Sequence, residues 1–188
     1  MSKLEKTMIG HLHLILGCMY SGKTSRLISI YNDYRKKGKN VCVINYKGDT
    51  RYHPELMSSH DKIMIPCHRV DNIYDVFKNN PDILETADVY LINEGQFFSD
   101  LYDVVKLLVT SHKKTVYVGG LDGDFEMKQF GQIINLIPMS TSYEKLYAKC
   151  TNCDEKASFT KRLTKDSKQI LIGGKETYIP VCRKCYND

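Results

Sequence analysis

Apolar residues in this chain gather into short runs, separated by stretches in which they recur every three or four positions. Leu12, Leu14, Ile15 and Leu16 make the first run, and 41–44, Val89–Ile92 and 115–118 follow, short, largely β-branched and bounded by turn residues or charges. Runs of this kind predict strands covered on both faces, as the strands of a parallel sheet are. Helical spacing fills the gaps. Leu27, Tyr31 and Tyr34 follow the first run with Gly38 as a stop signal; Ile73, Val76 and Phe77 follow a cap at Asp71; Leu101, Val104, Val105 and Leu108 follow Ser99-Asp100. Alternating strand and helix predicts an α/β fold whose ligands collect at the carboxyl ends of the strands. No internal repeat or low-complexity linker breaks the pattern until Cys150, beyond which turn residues and cysteines dominate. The expected division is therefore a first domain over 1–149 and a second over 150–188.

The length of 188 residues, with 42% hydrophobic side chains, suits one good core and a small appendage. A net charge of +5 spread along the chain makes no basic stripe, so nucleic acid is not the expected partner. No apolar run reaches the length of a membrane span, and the charged opening Met1-Ser2-Lys3-Leu4-Glu5-Lys6 is a poor secretory signal, so a cytoplasmic protein is expected. In that compartment seven cysteines read as thiols or metal ligands rather than disulfides.

Three constellations carry chemistry. Directly after the first run stands Gly17-Cys18-Met19-Tyr20-Ser21-Gly22-Lys23-Thr24, the P-loop pattern G-x-x-x-x-G-K-[ST]. Its glycines let backbone N–H groups turn toward phosphate, Lys23 adds charge near the β- and γ-phosphates, and Thr24 offers a hydroxyl to Mg²⁺. The pattern implies a nucleoside triphosphate but not a reaction. Second, Cys150-x-x-Cys153 and Cys182-x-x-Cys185 are paired knuckles whose thiolates can close a tetrahedral Zn²⁺ site. Four protein ligands leave no open position, so this zinc is expected to be structural, with the long stretch between the knuckles projecting as a loop or hairpin around Gly173-Gly174. Cys18, Cys42 and Cys67 lack such spacing and read as packing residues. Third, the strand Val89–Ile92 runs into Asn93-Glu94, where a P-loop protein usually keeps an acid; Glu94 could take the proton of an attacking hydroxyl. Beyond the second strand, Asp49 could hold metal and Arg51 phosphate, although on spacing alone a solvated loop is an equal reading for both.

These motifs together resemble the zinc-containing thymidine kinases of cells, bacteria and large DNA viruses, over nearly the whole chain. The P-loop is joined in order by Asp49-Thr50-Arg51-Tyr52, His60-Asp61, Glu94-Gly95-Gln96-Phe97-Phe98, Leu121-Asp122-Gly123-x-Phe125, Phe130-Gly131, Thr160-Lys161-Arg162-Leu163 and Ile172-Gly173-Gly174. The resemblance implies a RecA-like P-loop sheet flanked by helices, with a small zinc-binding domain carrying a lasso-type loop over the substrate. It implies transfer of the ATP γ-phosphate to the 5′-hydroxyl of thymidine, with deoxyuridine as a further acceptor, Glu94 as base, and Mg²⁺ bridging the phosphates near Thr24, Asp49 and Asn93. A homotetramer and feedback inhibition by dTTP are implied as well.

Carried onto this chain, the nucleoside pocket would use Met19, Phe97, Leu121, Phe125, Phe130 and Tyr178, with backbone groups of Gln169, Ile170, Leu171, Ile172 and Gly173 holding the base. Arg51 would meet phosphate, and Arg162 would either neutralise phosphate or tie the loop down. The chain departs from the family at Asn93, where Asp is usual, at Asp124, where a small hydroxyl residue is usual, and at Glu126-Met127, which replace a more basic pair. The lost charge at Asn93 predicts an unusually high Mg²⁺ requirement. An adenylate-kinase-like enzyme would carry its cysteine frame mid-chain. A nucleic-acid ATPase would exploit Lys161, Arg162, Lys165, Lys168, Lys175, Arg183 and Lys184, and a GTPase would need an Asn-Lys-x-Asp motif that is absent.

Overall fold

The computed structural model describes residues 9–49, 55–59 and 61–188. Thr50, Arg51, Tyr52 and His60 lie outside the described residues, so the phosphate role expected of Arg51 has no geometry here. In chain order the elements are β1 (His11–Gly17), α1 (Lys23–Lys36), β2 (Val41–Tyr46), a small hairpin of β3 (Met57–Ser58) and β4 (Met64–Ile65), and β5 (His68–Val70). Next come α2 (Tyr74–Asn79), α3 (Ile83–Thr86), β6 (Val89–Ile92), α4 (Leu101–Lys106), β7 (Thr115–Gly120) and β8 (Ser142–Leu146). The chain ends with β9 (Ala148–Lys149), β10 (Lys156–Ala157), β11 (Phe159–Arg162), β12 (Tyr178–Val181) and α5 (Arg183–Asn187).

Six strands form one parallel sheet in the order β5-β2-β6-β7-β1-β8. Side chains of a strand alternate between faces, and here both faces are covered, which is why the central strands are largely apolar. Leu12, Leu14, Leu16, Ile44, Tyr90, Ile92 and Val118 pack with Leu101, Val104, Val105 and Leu108 of the α4 region. Ile15, Val43, Val89 and Leu91 point the other way, onto Leu27, Ile28 and Ile30 of α1.

Gly38 ends α1 as expected: at φ +70° its N–H reaches the Arg35 carbonyl (3.0 Å) while that of Lys39 reaches Tyr34 (3.0 Å), the paired bonds of a Schellman stop. The Asp71 cap is a correction. α2 starts only at Tyr74, too late for Asp71, which instead lies 3.8 Å from Lys47; the Tyr74 N–H is taken by Asp100 Oδ2 at 3.0 Å. The start of α4 is served in turn by Gln132 Oε1, which accepts from the Tyr102 N–H at 2.9 Å. The two edge strands, β5 and β8, escaped the apolar pattern because their residues are half-buried or exposed. Among the described residues, no helix is long and apolar enough to cross a membrane.

Past β8 the strands shorten. β9 pairs antiparallel with β10, and β11 with β12, around a small cluster of Cys18, Cys150, Ala157, Val181, Cys182 and Cys185. The segment expected to project between the knuckles does so from β11 to β12, closing through a turn in which Gly174 accepts from the N–H groups of Thr177 and Tyr178 (both 3.0 Å).

Candidate active site

β1, β2, β6 and β7 all deliver their carboxyl ends to one edge, and the expected motifs meet there. The loop leaving β1 turns at Gly17 (φ +148°), where a Cβ would lie 2.4 Å from the Leu146 carbonyl oxygen, and enters α1 through Gly22 at φ +87°. Both positions therefore need glycine. The Lys23 ammonium folds over this loop to the Cys18 carbonyl (2.7 Å), which also accepts from Ser21 Oγ (2.9 Å). From the far side Thr160 Oγ1 accepts the Met19 N–H (3.0 Å), and the Cys18 thiol donates to the Ala157 carbonyl (3.4 Å). Burial raises the thiol pKa of Cys18 and of Cys67, and pushes that of Cys42 up to about 12, as packing residues require.

Where β6 ends, two polar residues turn back over the P-loop. Asn93 is buried, donates from Nδ2 to Asn45 Oδ1 (2.9 Å), and holds its own Oδ1 3.5 Å from the Thr24 hydroxyl. Glu94 adopts left-handed backbone (φ +56°, ψ +42°), a conformation that costs a non-glycine residue roughly 1 kcal/mol or more. Its carboxylate is nevertheless well held: Oε2 accepts from Gln96 Nε2 at 2.6 Å, and Gln96 Oε1 is fixed by the Leu121 N–H at 3.0 Å. After β2, the Arg69 guanidinium grips the carbonyls of Lys47 (2.6 Å) and Asp49 (2.8 Å), setting the buried Asp49 at the same edge.

A cavity of about 320 Å³ joins these groups to the C-terminal segment. Of the expected residues, Met19, Tyr20, Gly22, Lys23, Thr24, Asp49, Glu94, Phe97, Leu121, Phe125, Phe130, Arg162, Gln169, Leu171, Ile172, Gly173 and Tyr178 line it. Gly17, Cys18, Ser21 and Asn93 are not part of the lining, and Ile170 is 53% exposed. Tyr46 stacks on Phe97 (4.8 Å between centroids), which meets Phe130 edge-on (5.4 Å), giving an aromatic wall suited to a flat ring. Of the two roles open to Arg162, its bonds serve the loop: the guanidinium donates to the carbonyls of Asp166 (2.8 Å), Lys168 (2.5 Å) and Gln169 (3.1 Å) and to Tyr178 Oη (2.6 Å), over the Phe125 ring at 3.6 Å. The Tyr178 hydroxyl in turn donates to the Leu171 carbonyl at 2.9 Å.

Sequence reasoning gave no role to Gln96 or Thr160, although both stand inside quoted motifs, or to Tyr46, at the end of a predicted strand. Their signal was position beside Glu94 and in the cysteine frame; what they hold emerges only from partners far along the chain.

The ligand atoms of Cys150, Cys153, Cys182 and Cys185 all lie within 4.8 Å of one another, with Cys153 Sγ 3.7 Å from both Cys182 and Cys185. Zn–S bonds of about 2.3 Å at tetrahedral angles put sulfurs about 3.8 Å apart, so this donor set could hold a zinc ion. Burial acts to raise the Cys150 pKa, but N–H groups of Cys182 and Asn152 and the Cys153 thiol outweigh it and bring it down to about 6, whereas burial and the neighbouring thiols push Cys185 up to about 12.

A family model described as thymidine kinase matches residues 10–186. Thymidine kinase a of Arabidopsis thaliana is 37% identical over 187 residues, which span 99% of this chain and 79% of that protein. The thymidine kinase of Sheeppox virus (strain KS-1) is 38% identical over 94% of this chain and 97% of its own. That of Vaccinia virus (strain Western Reserve) is 38% identical over 95% and 98% respectively.

Proposed function

The chain belongs to the thymidine kinase family, and on that premise we propose that it transfers the γ-phosphate of ATP to the 5′-hydroxyl of thymidine, with deoxyuridine as a second acceptor. The observation that carries this reading is the single cavity in which Lys23 and Thr24 of the P-loop, the Glu94 carboxylate and the Phe97–Phe130 wall face one another.

In this mechanism the loop N–H groups and Lys23 bind the phosphates, Lys23 exchanging the Cys18 carbonyl for phosphate oxygen. The pyrimidine lies against the aromatic wall under the 169–173 segment, which places the 5′-hydroxyl toward Glu94. Glu94 accepts the hydroxyl proton as the new O–P bond forms and ADP leaves, and Gln96 keeps the carboxylate aimed. Thr24, Asn93 and Asp49 offer oxygen donors of the kind a hard cation takes and would hold Mg²⁺. Bound with ATP, that ion would offset charge on the β- and γ-phosphates. A zinc ion held by the four cysteines would fasten both ends of the covering segment without entering the chemistry. The same reading divides the chain into a kinase domain over 1–149 and a zinc domain over 150–188, and includes a cytoplasmic homotetramer inhibited by dTTP.

The test is product formation from thymidine, ATP and saturating Mg²⁺, beside the same mixture without thymidine. Thymidine monophosphate at roughly 1 to 100 per second is expected. Phosphate release without thymidine monophosphate would overturn the reading.

A further inference from the structure

Asp124 lines the cavity, is 6% exposed, and uses both carboxylate oxygens. Oδ1 accepts the N–H groups of Glu126 and Lys128 (both 2.9 Å), which closes the turn after β7. Oδ2 accepts from Nε2 of Gln169 at 2.6 Å, in the segment covering the cavity. The second N–H of the same amide goes to the Gln129 carbonyl (3.1 Å). Both partners are acceptors, so the nitrogen must be the atom facing them. A turn needs only one carboxylate oxygen; the other makes a charge-assisted bond between segments 45 residues apart. Arg162 gathers the backbone of the cover and Leu171 packs against the aromatic cluster, while the Gln169 amide adds hydrogen bonds to Asp124 and Gln129, on the loop carrying Phe125 and Phe130.

We propose that Asp124 is a positioning residue for the nucleoside, latching the cover through Gln169 so that its backbone groups stay over the aromatic wall. The proposal rests on the kinase reading above, and the latch itself can be read without catalysis.

Asp124→Asn keeps an oxygen for the turn but turns an NH₂ toward the NH₂ of Gln169. Gln169→Glu sets two carboxylates against each other. The double variant pairs amide donor with carboxylate acceptor again, so Asp124→Asn should harm the parent protein and help the Gln169→Glu variant. Thymidine KM should rise about tenfold in each single variant, the size of one charge-assisted hydrogen bond, with ATP KM within about twofold, and fall back toward the parent value in the double. Tryptic cleavage at Lys165 and Lys168, followed without nucleoside, should speed and recover in the same order. Additive effects in the double variant, or equal shifts in both KM values, would overturn the latch. If thymidine is not phosphorylated at all, the proposed function fails, and the four cleavage rates decide the latch alone: equal rates refute it, and recovery in the double supports it.

Discussion

The sheet and the cysteine unit stabilise their halves of the cavity by different means. Around the sheet, two large apolar clusters bury strands of up to seven residues on both faces, and the edge bearing the P-loop and Glu94 is carried by that packing. The strands beyond residue 147 have two to four residues, sit in two-stranded pairs, and enclose a cluster in which four of the six buried residues are cysteines, three of them metal-site thiols. So small an apolar cluster offsets little of the entropy of ordering the segment; polar ties contribute, and a zinc ion on the four cysteines would supply more. The contrast explains the division of labour. In the proposed mechanism the groups that act on phosphate and hydroxyl stand on the sheet edge, while the covering segment, past which a nucleoside would enter and leave, hangs from hydrogen bonds that can open locally.

The comparison breaks most visibly on metal removal. Structural zinc contributes on the order of 10 kcal/mol in small zinc domains, so a strong chelator, or Cys153→Ser, should free the amides of Thr160 and Val181 to exchange while those of Leu14 and Ile92 stay protected. Simultaneous loss of protection in both regions would show that they fold as one. Next in size is Glu94→Gln, expected to cut kcat by roughly 10² to 10⁴ with ATP affinity within about twofold, since the P-loop is untouched; turnover near that of the parent would remove Glu94 from the mechanism. Leu14→Ala, a cavity in the sheet core, should cost about 2 to 5 kcal/mol in urea unfolding yet leave zinc content and thymidine KM unchanged. The smallest change is Asn93→Asp. Restoring a charge beside Thr24 should lower the Mg²⁺ needed for half-maximal rate several-fold, and calorimetry of Mg²⁺ with the nucleotide complex should show the same shift; equal requirements would mean the Asn93 amide serves as well as a carboxylate.

Much of the molecule was readable in advance. Leu12 to Leu16, Val89–Ile92 and the helical stripe of Leu27 announced their elements because burial on both faces writes itself as a dense apolar run, broken in the first only by His13, and a stripe writes itself as a period. The P-loop and the two C-x-x-C knuckles were legible for a related reason: phosphate and zinc impose spacings over a few neighbouring residues, which folding need not assemble. What stayed hidden depends on partners distant in sequence. The capping of α2 by Asp100, the left-handed turn at Glu94 held by Gln96 and Leu121, the gathering of loop carbonyls by Arg162 and the reach of Gln169 to Asp124 all follow from which surfaces the fold brings within 3 Å or so. Local pattern determined the central strands and main helices, the order of the motifs and the chemistry of the ligands, because those obey short-range sterics and periodicity. The tertiary structure alone decided which side chains hold the Glu94 carboxylate and the covering segment in place, since a hydrogen bond specifies geometry that no single segment contains.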